Sequence, residues 1–203
     1  MASKKEQTHQ KILKSMHKTF RQHGYNGAGV NGLASEAGVT SGAFYAHFGS
    51  KSGAFKEVIT EGVSQFDQGL KHYQAQYGES WLQEFVAFYL GEKRRTDLND
   101  SCALQSLTPE VVRSDDETKA LFQQELLKAA HTMSAKTMSD KAVSDKTMSA
   151  QEETNLANET QQIDAKTWAT LAMIIGGATL ARAVKDSDLA DEIAKSVENI
   201  MQS

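Results

Sequence analysis

Apolar residues recur at helical spacing along most of the chain. One stripe runs from Ile12 to Phe20, and a longer one runs from Phe55 to about Tyr77. Because residues three and four positions apart lie on one face of an α-helix, both stripes predict amphipathic helices with a buried face. The chain has 203 residues, a single Pro and many residues that favour helices, so we predict an all-α protein with about nine helices.

Residues 29–48 predict two short helices joined by a tight turn. Gly38 lies where the chain must turn sharply, because glycine adopts a left-handed conformation without steric cost. The hydroxyl of Thr40 is placed to cap the second helix, and Phe44 and Phe48 fall on its buried face. This arrangement is typical of the helix-turn-helix, whose second helix enters the major groove of DNA, although two short helices around a glycine also occur in proteins that do not bind DNA.

The pattern extends to both sides of these two helices. From residue 12 the chain carries IL-x2-M-x3-F-x3-GY-x4-V-x2-LA-x2-AGVTSGAFYAHFGSK. This order resembles the N-terminal domain of the TetR family of transcriptional regulators, over residues 6–66. The resemblance implies a three-helix DNA-binding domain at 6–66, with its helix-turn-helix at 29–48. It also implies a helical ligand-binding and dimerisation domain at 67–203, whose last two helices, about 164–202, pair with those of a second copy.

The resemblance further assigns the DNA contacts. It implies that the first turn of the second short helix meets bases or phosphates and that the following residues hold the backbone, the full set being Thr40, Ser41, Gly42, Ala43, Tyr45, His47 and Lys51. With no Arg, Asn or Gln in this turn, sequence specificity rests on methyl contacts and on DNA shape. A packed histidine is the alternative for His47. Ala28 and Gly29 stand where the family usually has hydroxyl residues that cap the first of the two short helices, which follows them, and that touch a phosphate, so this phosphate contact is in doubt.

The charge of the chain is distributed unevenly. Residues 1–60 hold eight Lys and Arg against three Glu, for a net charge of +5, whereas residues 61–203 hold 14 Lys and Arg against 23 Asp and Glu, for −9. A basic head on an acidic body orients a protein on a phosphate backbone, although such asymmetry also arises by chance.

The C-terminal domain offers candidates for an apolar effector pocket. They are mostly aromatic residues at helical spacing, and core packing explains each of them equally well: Phe66, Trp81, Phe85, Tyr89, Cys102, Leu104, Phe122 and Trp168. Cys102, the single cysteine, is either a sensor of electrophiles or oxidants or a buried, inert thiol.

Residues 132–151 contain four near-copies of a five-residue unit, TMSAK, TMSDK, AVSDK and TMSAQ. A period of five does not bury one face of a helix, so we interpret the repeat as an expansion in a surface connection, partly helical or mobile and without function. The helix before it is expected to end near Met133.

The resemblance, together with these observations, implies a dimeric repressor that binds a palindromic DNA operator and is released by an unidentified small-molecule effector. The alternatives are a helical adaptor and a thiol or electrophile sensor acting through Cys102. We do not expect an enzyme, a metal site or a cofactor, since the histidines show no metal-ligand spacing and no partner motif. We expect a cytoplasmic protein with no membrane partner, because no signal peptide is visible and the longest uncharged stretch is 15 residues.

Overall fold

A computed structural model describes residues 3–142 and 163–202, and this part of the chain contains helices and turns but no β-strand. The α-helices in chain order are α1 (Lys4–Gly27), α2 (Val30–Glu36), α3 (Ser41–Phe48), α4 (Lys51–Tyr77), α5 (Trp81–Phe88), α6 (Ala103–Ser106), α7 (Thr108–Val112), α8 (Asp116–Ala142), α9 (Ala165–Ala183) and α10 (Ser187–Gln202). A π-helical turn, Tyr89–Lys93, extends α5, and 3₁₀ turns lie at Gly78–Ser80 and Leu98–Asp100. The all-α prediction is confirmed.

Side-chain caps set the starts of three helices, and the cap predicted at Thr40 is one of them. Ser3 and Glu6 form a reciprocal capping box at α1. The Thr40 hydroxyl accepts a hydrogen bond from the Ala43 N–H at 3.2 Å, which caps α3. The Ser50 hydroxyl does the same for α4, accepting from the Gly53 N–H at 2.9 Å.

The head consists of α1, α2 and α3 packed on the first half of α4. Its centre is fully buried at Ile12, Met16, Phe20, Leu33 and Phe44. The Phe20 ring meets the Phe55 ring of α4 edge to face, with centroids 5.2 Å apart. The head is therefore held on α4 by an aromatic contact.

The body is arranged around the second half of α4, which packs against α5, α6 and α8, while α9 pairs with α10. The domain boundary predicted at residue 66 falls inside α4, and α4 runs without interruption from head to body. It approaches α6 so closely that a methyl group added at Gly62 would overlap the Cβ of Ala103. A single long helix therefore connects the two regions of the protein.

Helix α8 differs from the expectation that it ends near Met133. It continues to Ala142, through the first two five-residue units, because these units contain Ala, Met and Lys and neither Gly nor Pro. The rest of the predicted repeat lies outside the described residues.

Among the described helices, none combines the length and the apolar composition needed to cross a lipid bilayer.

Candidate nucleic-acid interface

The α2–α3 turn depends on Gly38, which has a φ of +65°. Its N–H donates to the Ser35 carbonyl at 2.9 Å, and the next N–H, from Val39, donates to the Ala34 carbonyl at 2.9 Å. These two bonds close the C-terminus of α2 in a left-handed turn that favours glycine. The predicted turn residue is confirmed.

Two phenylalanines fix which face of α3 points outward. Phe44 is fully buried and Phe48 is 8% exposed, so the opposite face of this eight-residue helix is left to solvent. Tyr45 lies on that face with 51% of its surface exposed, and Thr40 and Gly42 are exposed at the N-terminus. Ser41, Ala43 and His47 are half-buried. The first turn of α3 is thus a narrow protrusion without bulky side chains.

Ser41 has a hydrogen-bond partner that was not predicted from the sequence. Its hydroxyl donates to the Asn31 Oδ1 of α2 at 2.8 Å, and Asn31 itself is exposed. The bond ties the first turn of α3 to α2. An amide beside this turn also adds a polar group able to bind a phosphate or a base edge. Only the folded packing of α2 on α3 reveals this pair.

His47 lies against another histidine instead of standing free. Its Nδ1 is buried without a hydrogen-bond partner, and its ring centroid is 5.4 Å from that of His9 in α1. The His9 ring stacks on Phe48 with centroids 4.5 Å apart, and its Nε2 pairs with the Glu57 carboxylate of α4. The α3 C-terminus is therefore braced by His9, a residue outside the predicted site.

Lys51 is the first residue of α4 and sits beside the end of α3. Its Nζ lies 4.4 Å from the centroid of the Tyr25 ring, a cation–π contact that holds the ammonium at the surface of the head. Further positive charge comes from the exposed side of α1, at Lys4, Lys5, Lys11, Lys14 and Lys18. The ammonium of Lys51 and these lysines give the head its positive potential.

The predicted effector residues divide into two groups. Phe66, Phe85, Tyr89 and Cys102 line one cavity of about 130 Å³ between α4, the α5 segment and the start of α6. Trp81 and Leu104 are buried outside its walls, Phe122 is half-buried, and Trp168 is 38% exposed on α9. These four residues therefore do not line the cavity. Helical spacing could not separate them from the other four, because each helix of the body has several faces and the spacing does not show which face lines a cavity.

The cavity is also lined by polar residues that were not predicted from the sequence. Arg21 of α1, Gln65 of α4 and Lys93 of the π-helical turn line it together with the apolar residues. Burial raises the pKa of the Tyr89 hydroxyl well above its ordinary value, so this group is neutral and protonated. Burial also lowers the pKa of the Arg21 guanidinium.

Within residues 3–142 and 163–202, no group of three or more His, Cys, Asp and Glu side chains is arranged to hold an ion.

Comparisons with known proteins agree with this geometry. Residues 12–58 match the family model described as bacterial regulatory proteins, tetR family. The chain is similar to a TetR-family transcriptional regulator from Cytophaga hutchinsonii, with 18% identity over 100% of this chain and 96% of that one and a TM-score of 0.72. A TetR-family regulator from Agrobacterium tumefaciens is 14% identical over 97% of this chain and 98% of that one, with a TM-score of 0.71.

A third similar structure was solved with a ligand. It is the transcriptional regulator FadR from Bacillus subtilis in complex with stearoyl-CoA, 16% identical over 96% of this chain and 97% of that one, with a TM-score of 0.67. At these identities the likeness concerns the fold. No protein of curated function matches the sequence significantly.

Proposed function

We infer that this chain, whose N-terminal domain belongs to the tetR family of bacterial regulatory proteins, binds an operator as a homodimer and represses transcription until a small-molecule effector releases it. The observation that carries the inference is the first turn of α3, capped by Thr40 and held outward by the burial of Phe44.

The shape of this turn supports insertion into the major groove. Gly42 is exposed and no side chain larger than Thr stands in the turn, so the helix backbone can approach base edges closely. Thr40, Ser41, Gly42 and Ala43 are the proposed contacts to bases and nearby phosphates. Methyl groups of Thr40 and Ala43 are suited to the C5-methyl group of thymine.

Phosphate binding is assigned to the groups around this turn. Tyr45 offers an exposed phenol, His47 an imidazole and Lys51 an ammonium, and each of them donates hydrogen bonds to phosphate oxygens without reading sequence. The net charge of +5 on residues 1–60 supports this orientation, since the rest of the chain carries −9 and is repelled by DNA.

Dimerisation through α9 and α10 is supported by their outer faces. Of the eight large hydrophobic residues that are exposed in the described chain, four lie on these two helices, namely Trp168, Leu180, Leu189 and Ile200. Exposed apolar side chains concentrated on two paired helices are suited to burial in a protein interface. A two-fold pair would present two α3 helices to half-sites about 34 Å apart, or a multiple of that distance.

Release by an effector is supported by the position of the cavity. Gly62, Phe66 and Gly69 of α4 line it, and the same helix supports the head through Phe55. A ligand that displaces α4 would therefore move the base of α3. The bound stearoyl-CoA of the similar FadR structure also supports a small-molecule effector for this chain.

The experiment is DNA selection followed by a binding titration. The protein is used to retain fragments from a random pool, and the affinity for a retained fragment is measured by fluorescence anisotropy. Ala43→Glu should abolish binding, because it places a carboxylate against the phosphates and bases. The variant should still fold, since Glu three residues after Thr40 completes a capping box.

Ala135→Glu is the matched control, because it adds the same charge at an exposed position of α8. Unchanged affinity in Ala43→Glu, or no retained DNA with the unmodified protein at low salt, would contradict the proposal.

A further inference from the structure

The cavity beside Cys102 combines an apolar wall with unsatisfied polar groups. Phe66, Phe85 and Phe88 form the wall, and the Phe66 and Phe85 rings meet edge to face at 5.6 Å. Its volume of about 130 Å³ is close to the roughly 150 Å³ of an apolar protein cavity that holds benzene. The space therefore suits a single aromatic ring.

Tyr89, one of the residues that line the cavity, carries a buried hydroxyl. Tyr89 is 2% exposed, and its hydroxyl, close to the Cys102 thiol and the Gln105 side chain, has no hydrogen-bond partner of normal geometry. Both polar atoms of the Gln105 amide are likewise buried without partners. Because an unsatisfied buried polar group is costly, a ligand that brings a hydroxyl to Tyr89 gains free energy.

The outer end carries positive charge. Arg21, Gln65 and Asp100 line both this cavity and an open groove between α1 and α4, so they mark the mouth. The Arg21 Nη1 donates to the Asn99 carbonyl at 3.0 Å, whereas its buried Nε has no partner. Lys93 also lines the cavity, and its Nζ donates to the Asp100 backbone carbonyl at 2.7 Å. The two cations exceed the single Asp100 carboxylate, in a body whose net charge is otherwise negative.

We propose that this cavity binds a small aromatic carboxylate, with the carboxylate at Arg21 and Lys93, the ring against Phe66 and Phe85, and a ring hydroxyl at Tyr89. A charged hydrogen bond to Arg21 is stronger than a neutral one, so the carboxylate is the main determinant of affinity. Since Arg21 belongs to α1, the ligand contacts the head and the body at once. Its role as effector rests on the proposed function, whereas its binding does not.

The test measures binding directly, by isothermal titration calorimetry of the full chain without DNA. The probes are 4-hydroxybenzoate, benzoate and the neutral 4-hydroxybenzamide. We expect 4-hydroxybenzoate to bind most tightly, benzoate about 3- to 10-fold more weakly and the amide at least about 10-fold more weakly. Absence of binding by both carboxylates, or equal binding of the amide, would overturn the proposal.

Three variants locate the ligand. Arg21→Gln should weaken the binding of 4-hydroxybenzoate about 10- to 100-fold. The matched control is Arg113→Gln, because Arg113 is an exposed arginine of the body that lies outside the cavity. Tyr89→Phe should remove the preference for 4-hydroxybenzoate over benzoate. Wild-type affinity in Arg21→Gln would overturn the assignment of the carboxylate.

Gly69→Ala tests the position of the ligand ring independently of Arg21. Its added methyl would lie 3.8 Å from the Phe85 ring, an ordinary contact, so it narrows the cavity without a clash and favours the α4 helix. We expect at least about 5-fold weaker binding of 4-hydroxybenzoate by a protein that melts no lower than wild type. Unchanged affinity would overturn the placement of the ring.

DNA binding without ligand is measured separately by anisotropy. If 4-hydroxybenzoate binds and the protein also binds DNA, release of the DNA by the ligand supports the effector role. If no carboxylate binds while DNA binding persists, the cavity assignment fails and the proposed regulator stands. If carboxylates bind and no DNA is retained, the cavity assignment holds and the proposed regulator fails.

Discussion

Lysines 51 and 56 offer a matched test of how the head binds DNA. Both belong to the first turns of α4, but Lys51 lies beside α3 with its Nζ over the Tyr25 ring. Lys56 instead faces the body, where its Nζ is 2.6 Å from the Glu117 carboxylate of α8. We therefore expect Lys51→Gln to remove one phosphate contact and Lys56→Gln to remove none.

The magnitude follows from counterion release. Each phosphate contact contributes about −0.9 to the slope of log affinity against log salt, so about six contacts give a slope near −5 for the wild type. Lys51→Gln should reduce this slope by about 0.9. Between about 50 and about 200 mM salt, the wild type then loses about 3.5-fold more affinity than the variant.

The assay is fluorescence anisotropy with a retained duplex across that range of salt. Lys51→Gln should still fold. The loss of the cation–π contact with Tyr25 destabilises the folded state, but the removal of an unfavourable positive charge from the N-terminus of α4 stabilises it and offsets this loss. An unchanged slope in Lys51→Gln, or an equal reduction in Lys56→Gln, would refute the assignment of phosphate contacts by position.

Three further predictions concern stability and assembly. Burial lowers the pKa of His17 from 6.5 to about 4, so the unfolded chain binds a proton between these values that the folded chain does not, and stability falls as the pH falls. Between about pH 7 and about pH 5, the free energy of unfolding of the wild type should fall by about 2 kcal/mol more than that of His17→Leu, as measured by urea titrations. An identical pH dependence of the two proteins would contradict this. Gly62→Ala should destabilise the protein by about 1–2 kcal/mol, because its added methyl group overlaps Ala103. Gly69→Ala should not destabilise it. Equal melting temperatures of the two variants would contradict this prediction. Leu180→Glu, at a residue that is 62% exposed, should sediment as a monomer in analytical ultracentrifugation under conditions where we expect the unmodified protein to sediment as a dimer, and a dimeric variant would exclude this interface.

Local signals made much of the head predictable. The cap at Thr40 and the left-handed turn at Gly38 each depend on a few neighbouring residues, and the structure has both where the sequence places them. The buried stripes of α1 and α4 are equally local, since helical spacing alone defines them. The order of helices followed from these signals.

Contacts between distant segments were not predictable in this way. The Arg21 guanidinium donates a hydrogen bond to the Asn99 carbonyl, 78 residues away, and Arg21 brings α1 into the wall of a cavity whose other lining residues come from later segments of the chain. The support of His47 by His9 is of the same kind. Apolar spacing also failed to separate cavity walls from core, because Trp81 and Phe85 satisfy the same helical pattern and both are buried, yet only Phe85 lines the cavity.

The central claim is that two copies of the α3 tip bind successive grooves of one duplex. The most direct measurement is hydroxyl-radical footprinting of a retained fragment with wild type and with Ala43→Glu. We expect two protected patches on one face of the duplex, centred about 34 Å or a multiple of that distance apart, and neither patch with the variant. A single patch, or a footprint that Ala43→Glu leaves intact, would contradict it.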